Sequence, residues 1–322
     1  MKVKKWICLI CCISFTGSAL AFNNQVTAGI ERWTWSDKYE EDSGFTIEGD
    51  YTQDVIFAGY TYFLSPVEDN GAPLDLLTFY SRSGYVYGDF YTGDRDYDED
   101  DTDYTSEKDW TGLGLGGLFY FTPDTGIGAG FFTQDGDWED NDAVEDDSYD
   151  EDRDGWHVFA RHYLDDSNRL SVRLSQTDRE RDFADGFDRS DEYRWFILSY
   201  DGVMGESPNI FLGVDIGEGS RDKDDSNDNE VDHDLTKLGV TVGPVYRNFA
   251  IYFSYDYYEW DPEKDGVWEA DETYYTISPR YWFSEQLMLG GDLSRYSWDE
   301  SGDGYDFKES GTGIEIKARY RF

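Results

Sequence analysis

From Phe22 onward, apolar and polar residues alternate in short runs instead of recurring at helical spacing. In the last run Ile314, Ile316, Ala318, Tyr320 and Phe322 share one face, and Glu315, Lys317, Arg319 and Arg321 share the other. Leu238, Val240, Val242, Pro244 and Tyr246 repeat the pattern. So do Tyr275, Ile277, Pro279, Tyr281 and Phe283, opposite Tyr274, Thr276, Ser278 and Arg280. Turn signals between the runs are of two kinds. Short ones lie at Pro66–Pro73, Pro123–Gly126, Asp165–Asn168, Gly205–Pro208, Arg247–Asn248 and Ser284–Gln286. Longer, acidic ones lie at Lys38–Gly44, Gly93–Glu107, Asp135–Asp154, Asp182–Asp191, Gly219–Asp234, Asp261–Asp271 and Asp299–Asp306. Together they delimit 14 strands, with hairpins repeating every roughly 40 residues but no repeated motif.

An alternating chain needs something apolar on one side. A charged residue such as Arg319 facing lipid near the midplane would cost roughly 2–4 kcal/mol, so the charged face belongs in a lumen and the apolar face in a bilayer. The expected fold is an all-β, transmembrane antiparallel up-and-down β-barrel with short periplasmic turns and longer extracellular loops. Each descending strand ends in an aromatic: Phe63, Phe121, Tyr163, Tyr200, Tyr246, Phe283 and Phe322. Rings repeated at one depth predict an interfacial girdle, where the amphipathic ring sits between hydrocarbon and headgroups.

Composition sharpens this picture. Lys2, Lys4 and Lys5, the apolar stretch Trp6–Phe15 and Ala19-Leu20-Ala21 read as a cleavable secretory signal over 1–21, leaving 22–322 as a single barrel. All three cysteines depart with that segment, so no disulfide is expected. Losing its three lysines takes the formal charge of −43 to −46. So acidic a chain would ordinarily read as disordered, but 18% aromatic residues argue for a folded one. After Ala21 no apolar stretch is long enough for a helical span. Nucleic acid is excluded as a partner, because its phosphates would be repelled.

The ending Ile314–Phe322 resembles the C-terminal signature of outer-membrane porins, which the barrel-assembly machinery recognises. With the signal segment, strand number and acidic loops, the whole mature chain resembles small gammaproteobacterial general porins and is similar to the monomeric 14-stranded general porin of enteric bacteria. The resemblance implies a Gram-negative outer-membrane location, contact with membrane lipid and lipopolysaccharide, and passive diffusion of small hydrophilic solutes. Trimeric porins carry more strands and a long inward-folded constriction loop. No counterpart of that loop is apparent here, which points to a monomer.

Selectivity would then reside in the lumen, since rings of charged side chains decide what enters a pore. Arg169, Arg173 and Arg179 share a face with Ser171, Ser175 and Thr177. With Arg82, Arg161, Arg280, Lys317, Arg319 and Arg321 they predict a basic wall, faced by Glu31, Asp292 and Glu315 and neighboured by Asp215 and Asp256. The acidic runs Asp94–Asp103 and Asp135–Asp154 would concentrate cations at the mouth over roughly 8–10 Å. Asp150–Gly155 matches half of a calcium loop, but Arg161 stands where the bidentate ligand belongs; Asp261–Glu272 matches the spacing with Glu263 at the third position. In so acidic a chain neither amounts to a metal site, and no cofactor is implied. An enzyme is not expected: His157 and His162 fall on opposite faces of one strand and no nucleophile elbow is present. The alternative to a diffusion channel is a non-conducting structural or surface-interaction barrel whose acidic loops bind divalent cations.

Overall fold

The computed structural model describes residues 21–322 apart from 70, 100–103, 142–145, 184–187, 206–207, 226–230, 263–267 and 303. The expected signal over 1–21 therefore falls, but for Ala21, outside the described residues, as does much of the acidic match at Asp261–Glu272. The strands are β1 (Ala21–Glu41), β2 (Thr46–Glu68), β3 (Tyr85–Glu99), β4 (Thr105–Tyr120), β5 (Thr125–Asn141), β6 (Asp146–Tyr163) and β7 (Asn168–Phe183). They continue with β8 (Asp188–Met204), β9 (Asn209–Asp225), β10 (Val231–Val245), β11 (Phe249–Pro262), β12 (Trp268–Trp282), β13 (Leu287–Gly302) and β14 (Tyr305–Arg321).

Every strand pairs antiparallel with its sequence neighbours, and β1 closes on β14 in a continuous register from Gln25↔Arg321 to Glu41↔Tyr305. The result is a closed barrel of 14 strands, the fold expected from the alternation. Closure follows from the solvent. In hydrocarbon every backbone N–H and C=O must find a partner within the protein, which a sheet achieves only without edges.

The outward face carries the large exposed apolar side chains: Ile30 on β1, Ile56 and Tyr60 on β2, Leu113 and Leu115 on β4, Phe131 on β5, Leu198 on β8 and Ile316 on β14. On β14 this belt runs from Ile314 to Phe322, close to the roughly 9–11 residues a tilted strand needs to cross a bilayer. Beyond the belt the strands continue into water. Most of the acidic segments expected as loops are strand: Asp94–Glu99 prolongs β3, Asp135–Asn141 prolongs β5 and Asp146–Asp154 opens β6. The ladder persists because these stretches still alternate, with Arg95 and Tyr97 half-buried inside while Asp94, Asp96 and Asp98 face solvent. The calcium-like Asp150–Gly155 is likewise extended strand, so its carboxylates cannot curl around one ion.

The aromatic girdle needs correction. Phe121, Tyr246, Phe283 and Phe322 are exposed on the outside, and Tyr200 shares the outward parity of Phe196 and Leu198. Phe63 and Tyr163 instead point inward and are 4% and 3% exposed. What they pack against was not foreseen. The expected short turn at Pro66–Pro73 only begins a connection that runs to Gly84 and folds back into the barrel. It holds a 3-10 turn, Leu74–Leu76, followed by one turn of α-helix, α1 (Leu77–Ser81).

This plug joins two apolar clusters across the periplasmic end. Leu74 and Leu77 pack with Phe22, Phe63, Val67, Trp282 and Met288. Leu76 and Phe79 pack with Tyr163, Val203, Val245, Ala250 and Tyr252. A helical pair of faces in a chain otherwise written with period two explains both the insertion and its shortness.

Candidate functional site: the lumen above the plug

Polar anchors hold the plug. Asp75 has a side chain only 3% exposed; it accepts hydrogen bonds from Tyr252 Oη at 2.6 Å and Arg280 Nη1 at 3.1 Å. Arg321 is fully buried, donates to the Leu74 carbonyl at 2.9 Å and to Gln25 at 3.2 Å, and lies 4.0 Å from the Trp282 ring centroid. The Tyr163 hydroxyl donates to the Phe79 carbonyl at 2.6 Å. Leu74 N donates to the Arg247 carbonyl at 3.0 Å, and the Arg247 guanidinium clamps Asp69 and the Ala72 carbonyl. That hydrogen bond holds the Asp69 carboxyl below the usual carboxylate range.

Arg82 ends the plug. It adopts the left-handed conformation (φ 49°), which a side chain of this kind enters only under constraint. The constraint is visible: its guanidinium pairs with Asp124 and Asp166, donates to the Asp165 carbonyl and lies 4.5 Å from the Tyr163 ring centroid. Arg82 is therefore a tie between the plug and two periplasmic turns, not a lumen residue of a strand. Expected on the basic wall, it lies instead before β3, which begins only at Tyr85.

Above the plug lies a cavity of about 540 Å³. Arg161 on β6, Arg169 and Arg173 on β7 and Arg319 on β14 line it together, with Asp89, His157 and the rings of Phe63, Tyr85, Tyr87, Tyr120 and Phe159. In a ring of 14 strands β7 stands opposite β14, so the arginines reach the cavity from both sides.

The other residues singled out from the sequence have separate fates. Arg280 and Arg321 face inward but are spent on the plug, as their bonds to Asp75 and Leu74 show. Lys317 bonds to Asp292 at 2.8 Å and to Glu315, so its charge is spent on two carboxylates of the wall itself. Glu31 faces inward on β1 and accepts from the Trp33 indole N–H. Arg179 sits nearer the extracellular end and binds Glu151. Asp256 lies 3.6 Å from Lys237, and Asp215 occupies the facing position on β9, opposite Gly239 of β10.

Glu151 belongs to a network that sequence reasoning missed. It takes Lys108 at 2.6 Å, Arg179, and Arg181 at 3.3 Å; Arg181 reaches on to Asp191, which binds Arg221 at 2.7 Å. Glu151, Lys108, Arg181 and Asp191 are all buried. The network ties β4, β6, β7, β8 and β9 together at the upper lumen. Most of its pairs join consecutive strands, Glu151 standing opposite Arg181 across β6 and β7, but the alternation of β6 and β8 is too irregular in the sequence to give the facing of Glu151 and Asp191.

The cavity stays open on one side because small residues face inward on β4 and β5. A Cβ at Gly130 would lie 2.6 Å from His157 Cε1 and 2.7 Å from Tyr87 Oη, and one at Gly116 would lie 2.6 Å from Tyr87 Oη. The Tyr87 ring therefore lies flat across both glycines instead of projecting into the lumen.

No family model matches the chain, and no curated protein matches it. Solved structures do. The Pseudomonas putida toluene transporter TodX superposes with a TM-score of 0.58 at 11% identity, covering 93% of this chain and 90% of that one. The Ralstonia pickettii toluene transporter TbuX gives 0.60 at 9% identity over 94% and 90%. A Pseudomonas aeruginosa FadL homologue gives 0.58 at 9% identity over 93% and 90%. The chain has the fold of Gram-negative outer-membrane barrels. At such identities the likeness concerns the fold, and it does not single out general porins. The closed register and lipid-facing belt place the protein in the outer membrane.

Proposed function

We propose that this barrel is a solute channel of the outer membrane that passes selected small polar molecules, with the plug as the barrier at its periplasmic end. The observation that carries this reading is the juxtaposition of an arginine-lined polar cavity with an inward-folded segment held beneath it by Asp75, Arg280 and Arg321. A permanently open general pore has no use for a segment that bars its periplasmic end. A wholly structural barrel has no use for unpaired arginines around open space. The solved barrels of similar fold include two named as toluene transporters, which supports transport of particular solutes. The wall of this cavity is too charged for a hydrocarbon, whose passage would leave buried guanidinium groups without partners.

The test is conductance in planar bilayers. The intact protein should conduct weakly, and a variant with residues 71–82 replaced by a short Gly/Ser linker should conduct several times more. The intact protein and the variant both running as folded, heat-modifiable barrels yet failing to conduct would favour the non-conducting structural reading and end this one.

A further inference from the structure

Resting on the reading of the lumen as a solute path, we infer that the cavity above the plug is a binding site for an aromatic carboxylate. Three features converge on that ligand class.

The first is positive charge with no carboxylate in contact with it. Among the arginines of the cavity, Arg169 is paired with Asp201 at 2.7 Å. Arg161, Arg173 and Arg319 have no salt-bridge partner among the described residues, and the Nε atoms of Arg161 and Arg319 are buried without any hydrogen-bond partner. The register sets Arg161 opposite Ser171 and Arg173 opposite Phe159, so Arg161 and Arg173 are diagonal neighbours on adjacent strands with no carboxylate between them. Like charges so placed repel, and an anion bound between them removes the repulsion. The planar guanidinium fork matches a carboxylate with two parallel N–H···O bonds.

The second feature is the aromatic surface beside those forks. Tyr87 lies flat over Gly116 and Gly130, Phe159 lies over Gly128, and Tyr85 and Tyr120 complete the wall. These rings present faces and edges at which another ring packs in offset or edge-on contact. An acid without a ring would leave them wetted. The third is shape and size. About 540 Å³ falls in the range of small-molecule sites, and Gln25 and Thr61 offer hydrogen bonds to ring substituents. Asp89 is the one carboxylate on the wall; it leans over Gly59 on β2, and its charge disfavours acids carrying a second carboxylate near that side.

Equilibrium binding to the full-length, detergent-folded protein tests this without requiring conduction. Saturation-transfer NMR or calorimetry with benzoate should show saturable binding, while acetate, benzyl alcohol and benzylammonium bind at least about tenfold more weakly. Arg173→Gln and Arg161→Gln should each lower benzoate affinity about tenfold or more, and Arg173→Lys should recover part of the loss. Arg295→Gln, on the outer surface, should leave it unchanged. Equal binding of acetate and benzoate would reduce the site to a general anion well and overturn the inference. So would unchanged benzoate affinity in both folded glutamine variants, or no binding at all. Benzoate binding in a protein that never conducts would uphold the site and sink the channel; conduction without benzoate binding would do the reverse.

Discussion

Replacing Asp75 by Asn isolates the electrostatic hold on the plug. The substitution keeps the side chain's shape and an acceptor for Tyr252, but it removes the one negative charge that Arg280 contacts at 3.1 Å. Arg321 is fully buried beside the plug, with no carboxylate bonded to it among the described residues. Breaking one partner of a buried ion pair costs about 3–5 kcal/mol, because the other charge is left uncompensated in a medium of low polarity. At about 1.4 kcal/mol per tenfold, the ratio of docked to undocked plug should fall by roughly a hundredfold to a few thousandfold. The barrel should stay folded, since the backbone ladder of the wall does not pass through the plug. Two assays read the shift: the open fraction in single-channel recordings, and the rate at which a protease cuts within 77–82. Asp75→Ala combined with Arg280→Ala should be milder than the sum of the singles, because the stranded cation is gone. Wild-type cleavage and wild-type conductance in a folded Asp75→Asn protein would refute the idea that this charge holds the plug.

At the other end of the lumen, Glu151→Gln should lower stability to urea by about 3–5 kcal/mol, because Lys108, Arg179 and Arg181 lose a shared buried counter-charge. Arg179→Gln should cost distinctly less, since Lys108 and Arg181 still serve Glu151; equal losses would show that the network is not centred on that carboxylate. Gly130→Val should force the Tyr87 or His157 ring into the cavity, narrowing it at a strain of about 1–3 kcal/mol. Conductance of the plug-deleted channel should drop accordingly, and an undiminished current would mean that solutes pass elsewhere.

The sequence determined the barrel. Period-two alternation over most runs, an even number of turn-delimited strands and the cost of arginine in lipid leave few other folds for Glu315, Lys317, Arg319 and Arg321 opposite Ile314, Ile316 and Ala318. Inward parity was legible in the same way for Arg169 and Arg173, because direction along a strand is a local property; β6 alternates less cleanly, and only the folded barrel sets Arg161 into the cavity. Tertiary structure decided everything that depends on which distant strands face one another. Only closure brings Arg319 to the cavity of Arg161 and Arg173, while sending Arg321, two residues on, to the buried base of the plug. The plug itself had a sequence trace, since Leu74, Leu77 and Leu76, Phe79 recur at helical spacing within a chain of alternation. That trace is too short to outweigh strand patterning by itself. It becomes decisive only where Asp75 meets Tyr252 and Arg280, contacts made across 177 and 205 residues of chain.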